Sequence, residues 1–178
     1  RTYVFNNDKL CDYGLLALIL DEEKISLSGM AVGGWKPMGM DRIITKSSGN
    51  VVYTIDNEPA LDFVSRYAGL KDLDTNNALN FLISSNFQLQ LKREDKHPVM
   101  RTPMQANAED GSIVFAGSLP EGSKGKLCLL PGFEVIEAAL NEFTNYKKEQ
   151  PEPDALILFS CAGRQLTLGP YVSEEIDG

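Results

Sequence analysis

Along this chain, short apolar or alternating stretches bounded by turn residues outnumber stretches with helical spacing. Residues 2–5 (TYVF) end at Asn6-Asn7-Asp8, residues 14–20 (GLLALIL) end at Asp21-Glu22-Glu23-Lys24, and residues 25–32 (ISLSGMAV) follow. Runs punctuated in this way read as strands, and these three predict a meander. The middle run is apolar at every position from Leu15 to Leu20, which predicts a strand buried on both faces. The segment GGWKPMG (33–39) breaks the pattern with glycine and proline and puts the sole tryptophan, Trp35, on a loop. RIITK (42–46) and VVYTI (51–55) then read as a strand pair joined across Ser47-Ser48-Gly49-Asn50.

Helical spacing begins after Asn57. As an N-cap, Asn57 would be followed by Glu58 and Pro59 in the first turn, and the helix would run to Ala68 and stop at Gly69. Leu61, Phe63, Val64, Tyr67 and Ala68 make its apolar face. A weaker helix is expected over 75–84, then strand FQLQL (87–91) and a charged turn at 92–96. VMRTPMQAN (99–107) and SIVFAG (112–117) form a hairpin across Glu109-Asp110-Gly111. Leu119-Pro120-Glu121-Gly122 turns the chain into the buried strand KLCLL (126–130). The clearest helix spans 133–148, with Val135, Ile136, Ala139, Leu140, Phe143 and Tyr146 on one stripe and lysines in its last turn. Pro151 and Pro153 end it, and ALILF (155–159), continuously apolar, reads as a central strand. The predicted class is α+β: mainly antiparallel β-sheets covered by a few helices.

A chain of 178 residues with 43% hydrophobic and 24% charged residues has the composition of a globular domain with a real core. A net charge of −8 without a stripe of Lys and Arg argues against nucleic acid and anionic membranes as partners. No apolar run approaches the roughly 20 residues of a membrane span, so no membrane insertion is expected. The first residue is Arg1, nothing after it reads as a signal peptide, and an excerpt of a longer chain is expected. Cys11, Cys128 and Cys161 are odd in number and far apart, which points to a reduced, cytoplasmic setting.

Candidate chemistry gathers where ALILF stops at Ser160-Cys161-Ala162-Gly163-Arg164. A nucleophilic cysteine needs a base to hold it as thiolate, and the single histidine, His97, lies in a charged turn with nothing placing it near Cys161. No metal-ligand spacing occurs, although His97 could serve as one axial ligand of a haem. The small residues leave space at a strand end, where Arg164 could offer its donor fork to a carboxylate. Equally, Arg164 could pair with Glu174 or Glu175 to fasten the C-terminal segment. Arg101, among apolar neighbours, is either a paired ligand contact or a strand-edge cation in water. Trp35 is either a ligand platform or an aromatic plug.

The order GGWKPMG (33–39), GNVVYTIDNEPALDFVSRYAG (49–69), GSIVFAGSLPEGS (111–123) and LILFSCAGRQLTLG (156–169) with Glu174-Glu175-Ile176 resembles the FIST family. Residues 1–46 resemble the end of its N-terminal domain and residues 52–178 most of its C-terminal domain. The resemblance implies a sensory, ligand-binding module of intracellular signal transduction, found in bacteria, archaea and eukaryotic F-box proteins. Amino acids have been proposed as ligands, and some bacterial members bind haem, sense nitric oxide and act on histidine kinases. The family's glycine-rich G-E-I/Y-G segment and later H-N pair are not met before Gly178.

The expectation is a non-enzymatic, cytoplasmic sensor domain. It would bind a small polar ligand such as an amino acid through Arg164, Cys161 and Gly163, with Arg101 and Trp35 as further candidates. The signal would pass to a partner domain or protein. The alternatives are a haem-binding nitric oxide sensor using His97, and a protein-interaction platform of the substrate-adaptor type.

Overall fold

Residues with positive φ mark where this chain turns. Gly49 (φ 60°), the pair Asp56 (50°) and Asn57 (67°), Gly111 (68°) and Gly122 (81°) each follow or join strands, in a backbone region glycine enters freely and Asn or Asp tolerates. The computed structural model describes residues 3–33, 35–67, 69, 75, 80–81, 87–94, 96–129, 134–150, 152–161, 165 and 168–177. The side chains of residues 96, 97, 134 and 175–177 lie outside that description. By internal packing the chain divides into two units, Arg1–Ala31 and Val32–Gly178.

In the first unit, β1 (Val4–Phe5) pairs antiparallel with β2 (Leu10–Cys11). The expected turn at 6–8 forms, with the Asn6 side chain accepting from the backbone N–H groups of Asp8 and Lys9. The turn at 21–24 forms as well, the Lys24 N–H donating to the Asp21 carbonyl at 3.0 Å. The meander does not. Residues 14–20 and 25–32 pair with no strand among the described residues, and Leu15 and Ile19 are 89% and 92% exposed. An apolar run predicts a strand only if another strand satisfies its row of N–H and C=O groups, and here none does.

The second unit is a curled antiparallel sheet. Its strands are β3 (Lys36–Ser48), β4 (Val51–Ile55), β5 (Glu58–Pro59), β6 (Phe87–Arg93), β7 (Lys96–Arg101), β8 (Pro103–Asn107), β9 (Ser112–Phe115) and β10 (Lys124–Leu129). They lie in the order β7-β6-β10-β3-β4-β9-β8, with β5 beside β4. The two ends of that order are one stretch of chain, interrupted only at Thr102, so the sheet curls back on itself. The pairings expected for 42–46 with 51–55 and for 103–107 with 112–115 are present. The Trp35 loop is shorter than expected, because Lys36–Gly39 already belong to β3.

Helix α1 (Ala60–Tyr67) fills the curl, with Ala60, Phe63 and Val64 buried. They join Ile44, Val52, Phe87, Ile113 and Phe115 in one core. Each large apolar side chain so buried contributes on the order of 1.5–3 kcal/mol. Gly69, at φ 68°, follows the helix as expected. Asn57, however, is not its cap. Asp56-Asn57 make a two-residue turn between β4 and β5, Ile55 facing Glu58, and the Leu61 N–H is met by the Gly111 carbonyl at 2.9 Å. Both turn residues need positive φ in such a hairpin, which suits Asp and Asn.

The long helix appears as α2 (Glu134–Glu149), and a shorter α3 (Val172–Asp177) follows a single turn at Gly169–Tyr171. Val135, Ile136 and Leu168 form a second, smaller cluster with Leu140 and Val172. The helix expected over 75–84 falls largely outside the described residues. The strand expected at 155–159 is absent: these residues are exposed and pair with no described strand, for the same reason as 14–20.

Candidate functional site

Strand β3 carries an irregularity that makes a hollow. Gly125 of β10 pairs with Arg42 while Leu127 pairs with Met38, so two steps on β10 match four on β3. Gly39, at φ 68°, takes up the excess, the conformation a bulge requires of glycine. Such bulges re-aim side chains. Here the displaced segment presents Met38, Met40 and Arg42 beside Leu127, Leu129 and Tyr67, around a hollow of about 140 Å³.

Arg42 gives the hollow its chemistry. Its Nη1 donates to Asp56 Oδ2 at 3.1 Å, and among the described residues this is its one hydrogen bond. Its Cζ lies 4.4 Å from the Tyr67 ring centroid and 5.4 Å from that of Phe63. Those two rings are themselves in tilted contact, their centroids 4.6 Å apart and their planes at 35°. The second oxygen of Asp56 is taken by the Ile43 N–H at 2.8 Å. A guanidinium held by a carboxylate and an aromatic face is oriented before any ligand arrives, and its free donors suit an anionic oxygen pair. Arg66 also lies near Tyr67, its Cζ 5.1 Å from the ring centroid, and pairs with Glu58.

A larger hollow, about 580 Å³, spreads over the outer face of β4, β9 and β8, with Tyr53, Gln105, Asn107, Glu109 and Asp110 among its lining. Its described lining holds amide and carboxylate groups and no positive side chain. By their described linings, neither hollow suits a haem. The smaller has the volume of a cavity that holds a single benzene, about 150 Å³, and the described residues of the larger include no histidine, cysteine or methionine. Among the described residues no group of three or more His, Cys, Asp and Glu is placed to hold a metal ion.

Of the residues singled out by sequence, Arg164 and Gly163 lie outside the described residues. Cys161 is exposed and in no strand, its carbonyl accepting from the Gln165 N–H at 3.0 Å. Arg101 is half-buried at the end of β7, where Nε donates to the Ser118 carbonyl at 3.0 Å and Nη1 to that of Met100 at 3.2 Å. It lies so close over Gly117 that a Cβ there would stand 2.9 Å from its Nε. Trp35 is half-buried, its ring against Gly33. His97 sits in edge strand β7, its side chain outside the description. The structure brings none of Cys161, Arg101 and Trp35 to the hollow, and sequence reasoning missed Arg42. The available signal was Gly39 interrupting a strand, which marks bulges.

Among the described residues no helix is long and apolar enough to cross a membrane. No curated protein and no solved structure matches the chain. Family comparison matches the FIST N domain over residues 1–58 and the FIST C domain over residues 60–178. The chain therefore belongs to the FIST family, whose domains are sensory modules of signal transduction and generally not catalysts.

Proposed function

We propose that this chain is a non-enzymatic, cytoplasmic sensor domain that binds a small carboxylate-bearing ligand of amino-acid size in the hollow beside Arg42. Occupancy would be passed to a partner domain or protein. The observation that supports this is the fixed Arg42 guanidinium at the rim of a small apolar hollow on a β-bulge, the usual combination of apolar lining with one placed polar group. Met38 and Met40, 53% and 70% exposed, are adaptable walls able to fold over a guest.

The test is thermal-shift and calorimetric titration of the protein against amino acids, 2-oxo acids and short carboxylates, because a ligand selective for the folded state raises its apparent stability. Arg42→Gln should remove the response while leaving the unliganded protein folded. Equal responses from parent and variant would refute the assignment to this hollow.

A protein-interaction role has its own support in the exposed apolar residues Leu15, Leu18 and Ile19 and, separately, Leu156, Leu158 and Phe159. Ile19→Lys and Phe159→Lys should lower self-association in light scattering if these segments are contact surfaces.

A further inference from the structure

We infer that the hollow beside Arg42 selects carboxylates that lack an α-ammonium group, short aromatic or branched-chain acids, over the corresponding amino acids. The inference rests on the reading of this hollow as the ligand site.

Arg42 is the group that receives the carboxylate. An amino acid would bring its ammonium to within two bonds of that carboxylate, and the ammonium would need an acceptor of its own. Among the described residues lining the hollow none offers an anionic acceptor: Met38, Met40, Leu127 and Leu129 carry no oxygen, and Tyr67, whose hydroxyl is neutral, already has two guanidinium groups 4.4 and 5.1 Å from its ring centroid. Asp56, the nearest carboxylate, is committed on both oxygens, one to Arg42 at 3.1 Å and the other to the Ile43 N–H at 2.8 Å. Glu58 is engaged by Arg66. An ammonium drawn into the hollow would lack an anionic partner and lie beside like charge, which disfavours it.

Size sets the other half of the choice. A volume of about 140 Å³ accepts one ring or one branched chain. Two thioethers and two leucines suit an apolar body and give no hydrogen bonds to a polar one.

Calorimetric titration of the full chain with phenylacetate, 4-methylpentanoate and phenylpyruvate, alongside L-phenylalanine and L-leucine, separates the possibilities. The amine-free acids should bind at least about tenfold tighter than the amino acids, the ratio that some 1.4 kcal/mol supplies. Arg42→Gln should abolish their binding. Met40→Asp, at an exposed position that tolerates the change, should supply the missing acceptor, raising affinity for the amino acids and lowering it for phenylacetate. Amino acids binding as tightly as the acids would overturn the inference and leave the hollow as the site. Failure of every probe to bind would overturn both.

Discussion

Asp56 holds Arg42 from a turn that is itself conformationally demanding: its carboxylate binds Arg42 Nη1 and the Ile43 N–H while its own backbone sits at φ 50°. The Asp56 N–H returns a bond to the Ile43 carbonyl at 2.9 Å, so the turn and the strand are clasped at this point. Two substitutions separate charge from turn. Asp56→Asn keeps a side chain that tolerates positive φ and can still accept from Ile43, whereas Asp56→Ala loses both. In urea unfolding, Asp56→Ala should cost about 2 kcal/mol and Asp56→Asn about 1 kcal/mol less than that. Both should weaken ligand binding equally, because both release Arg42. Equal stability losses would show that the charge alone matters.

Two glycines with the same φ of 68° give a second comparison. A Cβ at Gly39 would meet no heavy atom within 4 Å, whereas one at Gly111 would lie 2.9 Å from Pro59 Cβ. Gly39→Ala should therefore carry the conformational cost alone, about 1–2 kcal/mol. Gly111→Ala adds a clash with a ring that cannot swing away and should be the more destabilising. Only Gly39→Ala should also reduce ligand affinity, since it re-aims the bulge.

Asp41 ties together three strands. Lys92 Nζ of β6 lies 2.5 Å from its Oδ2, and Lys126 Nζ of β10 lies 3.9 Å from its Oδ1. The hydrogen bond from Lys92 holds the Asp41 carboxyl below its ordinary 3.8, against a smaller opposing effect of burial. A lowered carboxyl pKa contributes stability above the unfolded value and loses it as pH falls through the lower folded one. Lys92→Met should accordingly be less stable than the parent near neutral pH. Acid titration of the two proteins should show the gap closing below 3.8. A gap unchanged by acid would mean that the lysine acts through its methylene stem, not its charge.

The legible parts of this fold are those in which local chemistry and pairing agree. Gly111 after Glu109-Asp110, and Gly49 between two β-branched runs, announce hairpins that the strands then complete. The apolar runs at 14–20 and 155–159 announce strands just as strongly, yet periodicity carries no information about a partner. Asp56-Asn57 was ambiguous for another reason. Asn serves equally as a helix cap and in a left-handed turn, and only the register of Ile55 against Glu58 decides between them. The hollow was hidden because Gly39 reads as part of a glycine- and proline-rich loop, and acts as a bulge only once Lys36–Gly39 join β3. Its partners Asp56 and Tyr67 are distant in sequence and become neighbours only when the β4–β5 turn and α1 close over β3.

The cysteines report on whether β10 is buried as described. Cys128 has no exposed surface, and burial pushes its thiol from the ordinary 9.0 up to about 11. Cys161 is exposed. Because the thiolate is the reacting species, iodoacetamide at mildly alkaline pH should modify Cys161 in the native protein and leave Cys128 untouched until urea unfolds it. Peptide mass spectrometry distinguishes the two. The same burial has a pH consequence. A pKa raised by folding contributes stability that is complete below 9.0 and is lost as pH rises towards about 11, so Cys128→Ala should flatten the alkaline limb of the stability curve while costing some packing at every pH. Labelling of Cys128 as fast as Cys161 under native conditions would mean that the faces of β10 are reversed, which would also turn Leu127 and Leu129 away from the hollow beside Arg42.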